Sequence, residues 1–154
     1  MTTTKSEQIF EEICTRISAI TRENGYQSDI GNNLHRGWLA SLIHDDDQTF
    51  PVIAVQRGPV TVNNRNGLTV KETMAVDLVA AVRGLDDSGR DLYRIVYDIK
   101  RALWTSARGL ADIPGVLEVQ FGSAEPNLWP DGKTKLSFIA VPVEIAYTET
   151  FPRP

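Results

Sequence analysis

Cysteine is almost missing from this chain: Cys14 is the single one in 154 residues. One thiol makes no intramolecular disulfide and no cysteine-based zinc cluster, and a reducing compartment suits such a sequence. Histidine is scarce as well. His35 and His44 are the two present, which leaves most catalytic triads without their usual base. No apolar run approaches the roughly 20 residues of a membrane-spanning helix. The opening "MTTTKSEQ" carries no apolar signal segment, so the expectation is a protein that starts life in a cytosol, with no membrane partner. Positive charge is not in surplus either. Lys and Arg number 16 against 20 Asp and Glu, a net charge of −4, and the sequence pI is near 5.2. This balance argues against nucleic-acid binding driven by whole-molecule charge, while a local basic patch stays open.

What remains is an ordinary globular composition, 42% hydrophobic and 23% charged, which is enough apolar material for one real core. A chain of this length removes roughly 68–70% of its unfolded surface from water. The expectation is a single domain over 1–154, with short flexible ends at about 1–5 and 151–154.

The periodicity divides the chain into elements. Thr4-x-x-Glu7 reads as a capping box before Ile9, Phe10, Ile13, Cys14, Ile17 and Ile20, which recur at helical spacing, and Asn24-Gly25 reads as the stop of that helix. "LHRGWLASLI" (34–43) reads as an uneven strand. "PVIAVQRG" and "LTVKETMAVDLVAAVRG" read as an antiparallel hairpin over 50–57 and 68–83, with 58–67, including "NNRNG", as a long exposed tip. In the second of these strands Met74, Val76, Leu78, Ala80 and Val82 make one wholly apolar face, and the other face is mixed, the pattern of a sheet covered on one side.

A second helix opens around "DDSGRD" and runs to about Arg108, capped by Gly109. Its buried stripe is Leu92, Ile95, Val96, Ile99 and Leu103, with Asp91, Arg94, Asp98 and Arg101 as an outer row. "GVLEVQFG" and "TKLSFIAVPVEIAYTE" supply two more strands. Pro142 requires the last of these to be an edge there, or to bulge. The order α-β-β-β-α-β-β implies an α+β fold: a two-layer sandwich of a predominantly antiparallel sheet with two helices packed on one face.

Few of the chemistry-bearing residues form a recognisable constellation. "GYQSDIG" (25–31) follows a helix and has no lysine. "GKT" at 132–134 is followed by a strand rather than a helix, so the anion site of a mononucleotide loop is missing at both. "HDDDQ" places Asp45, Asp46 and Asp47 beside His44, but without the alternation, the glycine and the closing glutamate of a calcium loop; a solvated tip is the plainer reading. No Gly-x-Ser-x-Gly and no His-Glu-x-x-His occurs. Cys14 on the apolar stripe reads as a buried, inert thiol. Asp77, inside an apolar strand, is either a buried acid, a solvated one or part of a subunit contact. Trp129 in "NLWPDG" is equally an interface anchor or a local plug over the sheet edge. The expectation is a protein with no catalytic residues, no cofactor and no metal.

Taken together, "GYQSDIG" after the first helix, "FPVIAVQRG" beside "ETMAVDLVAAVRG", the helix "DLYRIVYDIKRALW", then "VLEVQFG" and "KLSFIAVPVEIAYTETF" resemble the phage tail terminator (tail-completion) family over residues 6 to about 151. The resemblance lies in element order, length and texture. It implies a structural, non-enzymatic protein that forms a homo-oligomeric ring, hexameric in that family. Such a ring caps the tail tube, stops further addition of the tube protein and offers a joining surface to a neck or head-completion protein. It also implies a place at the head-proximal end of the tail in the virion after assembly in the host cytoplasm. DNA would pass through the ring lumen without sequence-specific binding. Candidate contact residues are Asp45, Asp46, Asp47, Asn64, Arg65, Asn66, Trp129 and Lys133. Another neck or head–tail joining protein is the nearest alternative, and a small metal- or nucleotide-dependent enzyme the next.

Overall fold

A computed structural model describes residues 4–84, 88–104, 110, 113–130 and 135–153. The first helix, α1 (Lys5–Ser18), starts where the capping box places it. Thr4 is extended, and its Oγ1 accepts a hydrogen bond from the Glu7 amide at 3.3 Å, satisfying one of the donors that a helix start leaves over. Ile9, Phe10, Ile13, Cys14 and Ile17 are its buried face.

The helix stops a turn and a half before the expected Asn24-Gly25. Ala19 is its C-cap, and residues after it form a separate turn in which the Asn24 amide donates to Thr21 Oγ1 at 3.2 Å and the Asn24 side chain to the Ala19 carbonyl at 2.9 Å. Short polar side chains here offer the backbone partners that compete with helix. Gly25, at φ 90°, belongs to that turn rather than to the helix end.

Six strands follow: β1 (Leu34–His35), β2 (Val52–Asn66), β3 (Thr69–Arg83), β4 (Val116–Phe121), β5 (Asn127–Leu128) and β6 (Leu136–Thr150), with helix α2 (Ser88–Trp104) after β3. They form one mixed sheet in the order β1-β2-β3-β6-β4, and β5 pairs with β6. β1 runs parallel to β2; every other pairing is antiparallel. Two α-helices and this six-stranded sheet, among the described residues, make the chain α+β. The observed order adds the two-residue β5 to the expected one.

The central pair is β3 with β6, matched without a break from Thr69↔Thr150 to Arg83↔Leu136. Its inward residues Met74, Val76, Leu78, Ala80 and Val82 from β3, and Ile139, Val141, Val143, Ile145 and Tyr147 from β6, join the apolar stripes of α1 and α2 in the main core. Both faces therefore follow the alternation read from the sequence.

Two expectations about the sheet need correction. Residues 34–43 are not one strand: only Leu34 and His35 pair, and Leu39–Ser41 is a 3-10 turn. Leu39, Leu42 and Ile43 recur at helical rather than strand spacing, and all three are buried. They cover Val52, Ala54, Val79 and Ala81 on the sheet face away from the helices, forming a second apolar cluster with Leu136. That face is not simply open to solvent. Nor is 58–67 a loop, because β2 continues to Asn66, and the turn shrinks to Gly67-Leu68. Pairing with β3 overrides the poor strand propensity of this stretch; the register shift between Arg57 and Val60 absorbs Gly58-Pro59, as bulges do at sheet edges, and a second shift lies between Val62 and Asn64.

At Pro142 the strand is an edge locally, as expected. β6 is an interior strand, yet β4 ends beside the proline: Phe121 pairs with Val143, and the next amide, Gly122, donates to the Pro142 carbonyl at 2.8 Å. In a strand the N and C=O of one residue point the same way. The donor that Pro142 lacks thus faces the gap between β4 and β5, and β6 is an edge locally without being an edge strand. The expected cap at Gly109 and helix end at Arg108 lie outside the described residues.

Candidate functional site

The opening glycine-bearing segment docks one helix onto the other. Asp98 is expected on the outer row of α2, but it is fully buried. Its carboxylate accepts hydrogen bonds from the Gln27 amide at 3.0 Å and the Ser28 hydroxyl at 2.7 Å. Arg101 donates to the Gly25 carbonyl at 2.6 Å and lies over the Tyr26 ring at 4.6 Å. Gly31 packs against the end of α1, where a Cβ would stand 2.5 Å from the Ile17 carbonyl oxygen and 2.6 Å from that of Ser18. These donors and acceptors are spent on the fold, joining the segment to both helices.

Helix α1 is tied to the sheet by exposed charges. Glu7 pairs with Arg57 at 3.2 Å, and the Arg57 guanidinium sits 3.8 Å over the Phe10 ring. Glu11 pairs with Arg36 at 2.6 Å, and that hydrogen bond holds its carboxyl below the ordinary value. Cys14 is buried, and loss of solvation pushes its thiol above the usual range. This agrees with an inert core cysteine.

The candidate contact residues fall into separate groups. Asp45, Asp46 and Asp47 are all exposed between the 3-10 turn and β2, where the Asp47 amide donates to Asp45 Oδ1 at 3.0 Å. Among the described residues no three His, Cys, Asp or Glu side chains converge as a metal site would require. Asn64, Arg65 and Asn66 lie together at the far end of β2. With Thr69, Lys71 and Thr148 they line a shallow groove of about 90 Å³. Trp129 is partly buried and stacks edge-on against Phe138, with ring centroids 5.6 Å apart, over the second apolar cluster. Lys133 lies outside the described residues.

Sequence reasoning does not bring together one further group. Trp38, Leu39, Ala40, Gln56, Asp77, Val79, Trp129, Phe138 and Ala140 line a cleft of about 320 Å³ on the face of the sheet away from the helices. Gln56, Asp77 and Pro142 share one cross-strand row, and Ala54, Val79 and Ala140 the next, so the cleft floor is the pleat of β2, β3 and β6. The Gln56 side chain accepts from the Leu39 amide at 3.0 Å and fixes one wall. Trp38 is 61% exposed at the rim. The alternation in β3 puts Asp77 on this face, but the approach of Trp38 and Trp129 from loops about ninety residues apart has no local signal.

Three aromatic side chains also line the outer side of α2: Tyr93, Tyr97 and Trp104 are each at least half exposed. Trp104 meets Phe121 of β4 edge-on at 4.3 Å. The chain matches no protein-family model, and no curated protein matches it significantly.

Proposed function

We propose that this chain is a phage tail terminator: a two-layer α+β sandwich, both helices on one face, that acts through contacts with copies of itself and with a tail tube. The observation that carries the reading is the far half of β2. Every residue from Arg57 to Gly67 is exposed, and Val60 and Val62 are 50% and 61% accessible. β1 pairs only with Ile53 and Ala54, so the outer backbone edge of β2 beyond that point has no neighbouring strand in the described fold. A long edge with apolar side chains offers contact surface for another chain. The Gly58-Pro59 bulge interrupts simple strand addition there, which favours a defined side-chain contact over open-ended sheet growth.

In a ring, such a surface meets a different surface on the next copy, and the rotation must close; otherwise the contact continues as a filament. Asn64, Arg65 and Asn66 stand at the end of this edge, and Asp45–Asp47 form a separate exposed loop. The reading assigns both to contacts between subunits or with the tube and neck. It requires no bond making or breaking by the protein.

The experiment is electron microscopy of the protein mixed with purified tail tubes. A cap at one end of each tube is expected, and tubes that stay bare at both ends overturn the proposal. Phage lacking the protein is expected to make overlong or headless tails.

A further inference from the structure

The cleft between Trp38 and Trp129 has the composition of a receptor for one kind of side chain. Its walls and floor are mostly indole, phenyl and aliphatic carbon, with the Gln56 carboxamide in one wall, and among the described residues its one charged lining residue is Asp77. Asp77 is exposed, and among the described residues its carboxylate forms no hydrogen bond or ion pair. An aromatic-walled cleft with a single free carboxylate is complementary to a cation that also has a flat apolar face.

We propose that this cleft binds an arginine side chain presented by a partner polypeptide. Arginine fits better than lysine for two reasons. Its guanidinium is planar and stacks on indole while presenting paired N–H donors to a carboxylate, and it is less strongly hydrated than an ammonium, so an apolar cleft desolvates it more easily. The cleft volume of about 320 Å³ accommodates one such side chain with its aliphatic stem. The floor is rigid, because Val79 and Ala140 belong to the unbroken β3–β6 ladder and the rim is held by Gln56 through Leu39. Charge complementarity at Asp77 selects a basic partner segment over an acidic one. The site is independent of the ring reading: it exists on each copy whether or not the chain assembles.

The test follows the indole N–H signals of the intact protein while N-acetyl-arginine methylamide is added, with the citrulline analogue as a neutral isostere. Saturable shifts at Trp38 and Trp129 in the millimolar range are expected, with Trp104, on α2, as an unmoved internal reference. The citrulline analogue and the lysine analogue are expected to bind more weakly. Asp77→Asn is expected to weaken arginine binding by about tenfold, the scale of losing one charge-assisted contact. Both Asp77 and Trp38 are exposed, so Asp77→Asn and Trp38→Ala keep the fold, which near-ultraviolet circular dichroism verifies. Equal binding of arginine and citrulline, an unchanged Asp77→Asn titration, saturation by methyl glucoside in place of arginine, or no saturable shift each overturns the proposal.

Discussion

Gly31→Ala is the substitution on which the helix-docking argument stands or falls. The added methyl carbon would meet three backbone carbonyl oxygens, of Ile17, Ser18 and Ile20, at 2.5, 2.6 and 2.8 Å. None of these is a flexible side-chain end, so relief requires the 25–31 segment to move off the end of α1. That motion stretches the Gly31 amide to Ile20 carbonyl bond, now 2.9 Å, and drags on the Ile30 side chain, which is fully buried. Overpacking of this kind costs about 1–3 kcal/mol, and a weakened backbone hydrogen bond adds about 1 kcal/mol. The expected loss is about 2–4 kcal/mol, or a Tm lowered by roughly 4–16 °C for a domain of this size. Scanning calorimetry with urea titration measures both. Gly89→Ala is the matched control. Nothing lies within 4 Å of a Cβ at that position, which is in the first turn of α2, so alanine there is expected to be neutral or stabilising by up to about 1 kcal/mol. If the two variants unfold alike, within about 0.5 kcal/mol of wild type, the close approach does not constrain the fold and the reasoning fails.

Asp98→Ala is expected to cost about 2–4 kcal/mol, because it leaves the Gln27 amide and Ser28 hydroxyl without their buried acceptor. Ser28→Ala removes only one donor and is expected to cost less; equal effects in urea denaturation would contradict the arrangement. Tyr147 is 1% exposed and donates to Glu72 Oε2 at 2.7 Å, and burial first, then Glu72, pushes its phenol well above the ordinary range. In the unfolded chain the phenol ionises near pH 10. Folding stability is therefore intact below about pH 10 and falls as pH rises beyond it, since the unfolded state then sheds a proton that the folded state keeps. Tyr147→Phe is expected to flatten this alkaline decline in pH-dependent unfolding, and a decline of unchanged slope would assign it to other groups.

The sequence made the inward faces of β3 and β6 legible, and the start and stripe of α1 as well, because strict period-2 and period-3.6 apolar patterns leave one way to face a core. Elsewhere local signals competed. Leu39, Leu42 and Ile43 sit in a segment short enough to pass for a strand, and only the sheet beneath them shows that their spacing is that of a turn. The stretch from Gly58 to Asn66 has loop composition but a strand's conformation, imposed by a partner rather than by its own propensity. Asp98 carries the charge of an outer helical position, and its burial depends on a segment seventy residues earlier that brings two donors to it. The 38/129 cleft was invisible for the same reason: contacts closed over long stretches of chain leave no mark in neighbouring residues.

The position of β6 in the sheet has a consequence for synthesis. It lies between β3 and β4, and its pairing with β3 spans from Arg83↔Leu136 to Thr69↔Thr150. A ribosome makes it after every other strand, so the β2–β3 hairpin emerges with the inner rim of β3 bare until residues 136–150 follow. Non-local closure of this kind is slow and leaves an intermediate open to association in the meantime. Until β6 arrives, the strand-pairing groups along that rim of β3 are open to whatever else the nascent chain meets.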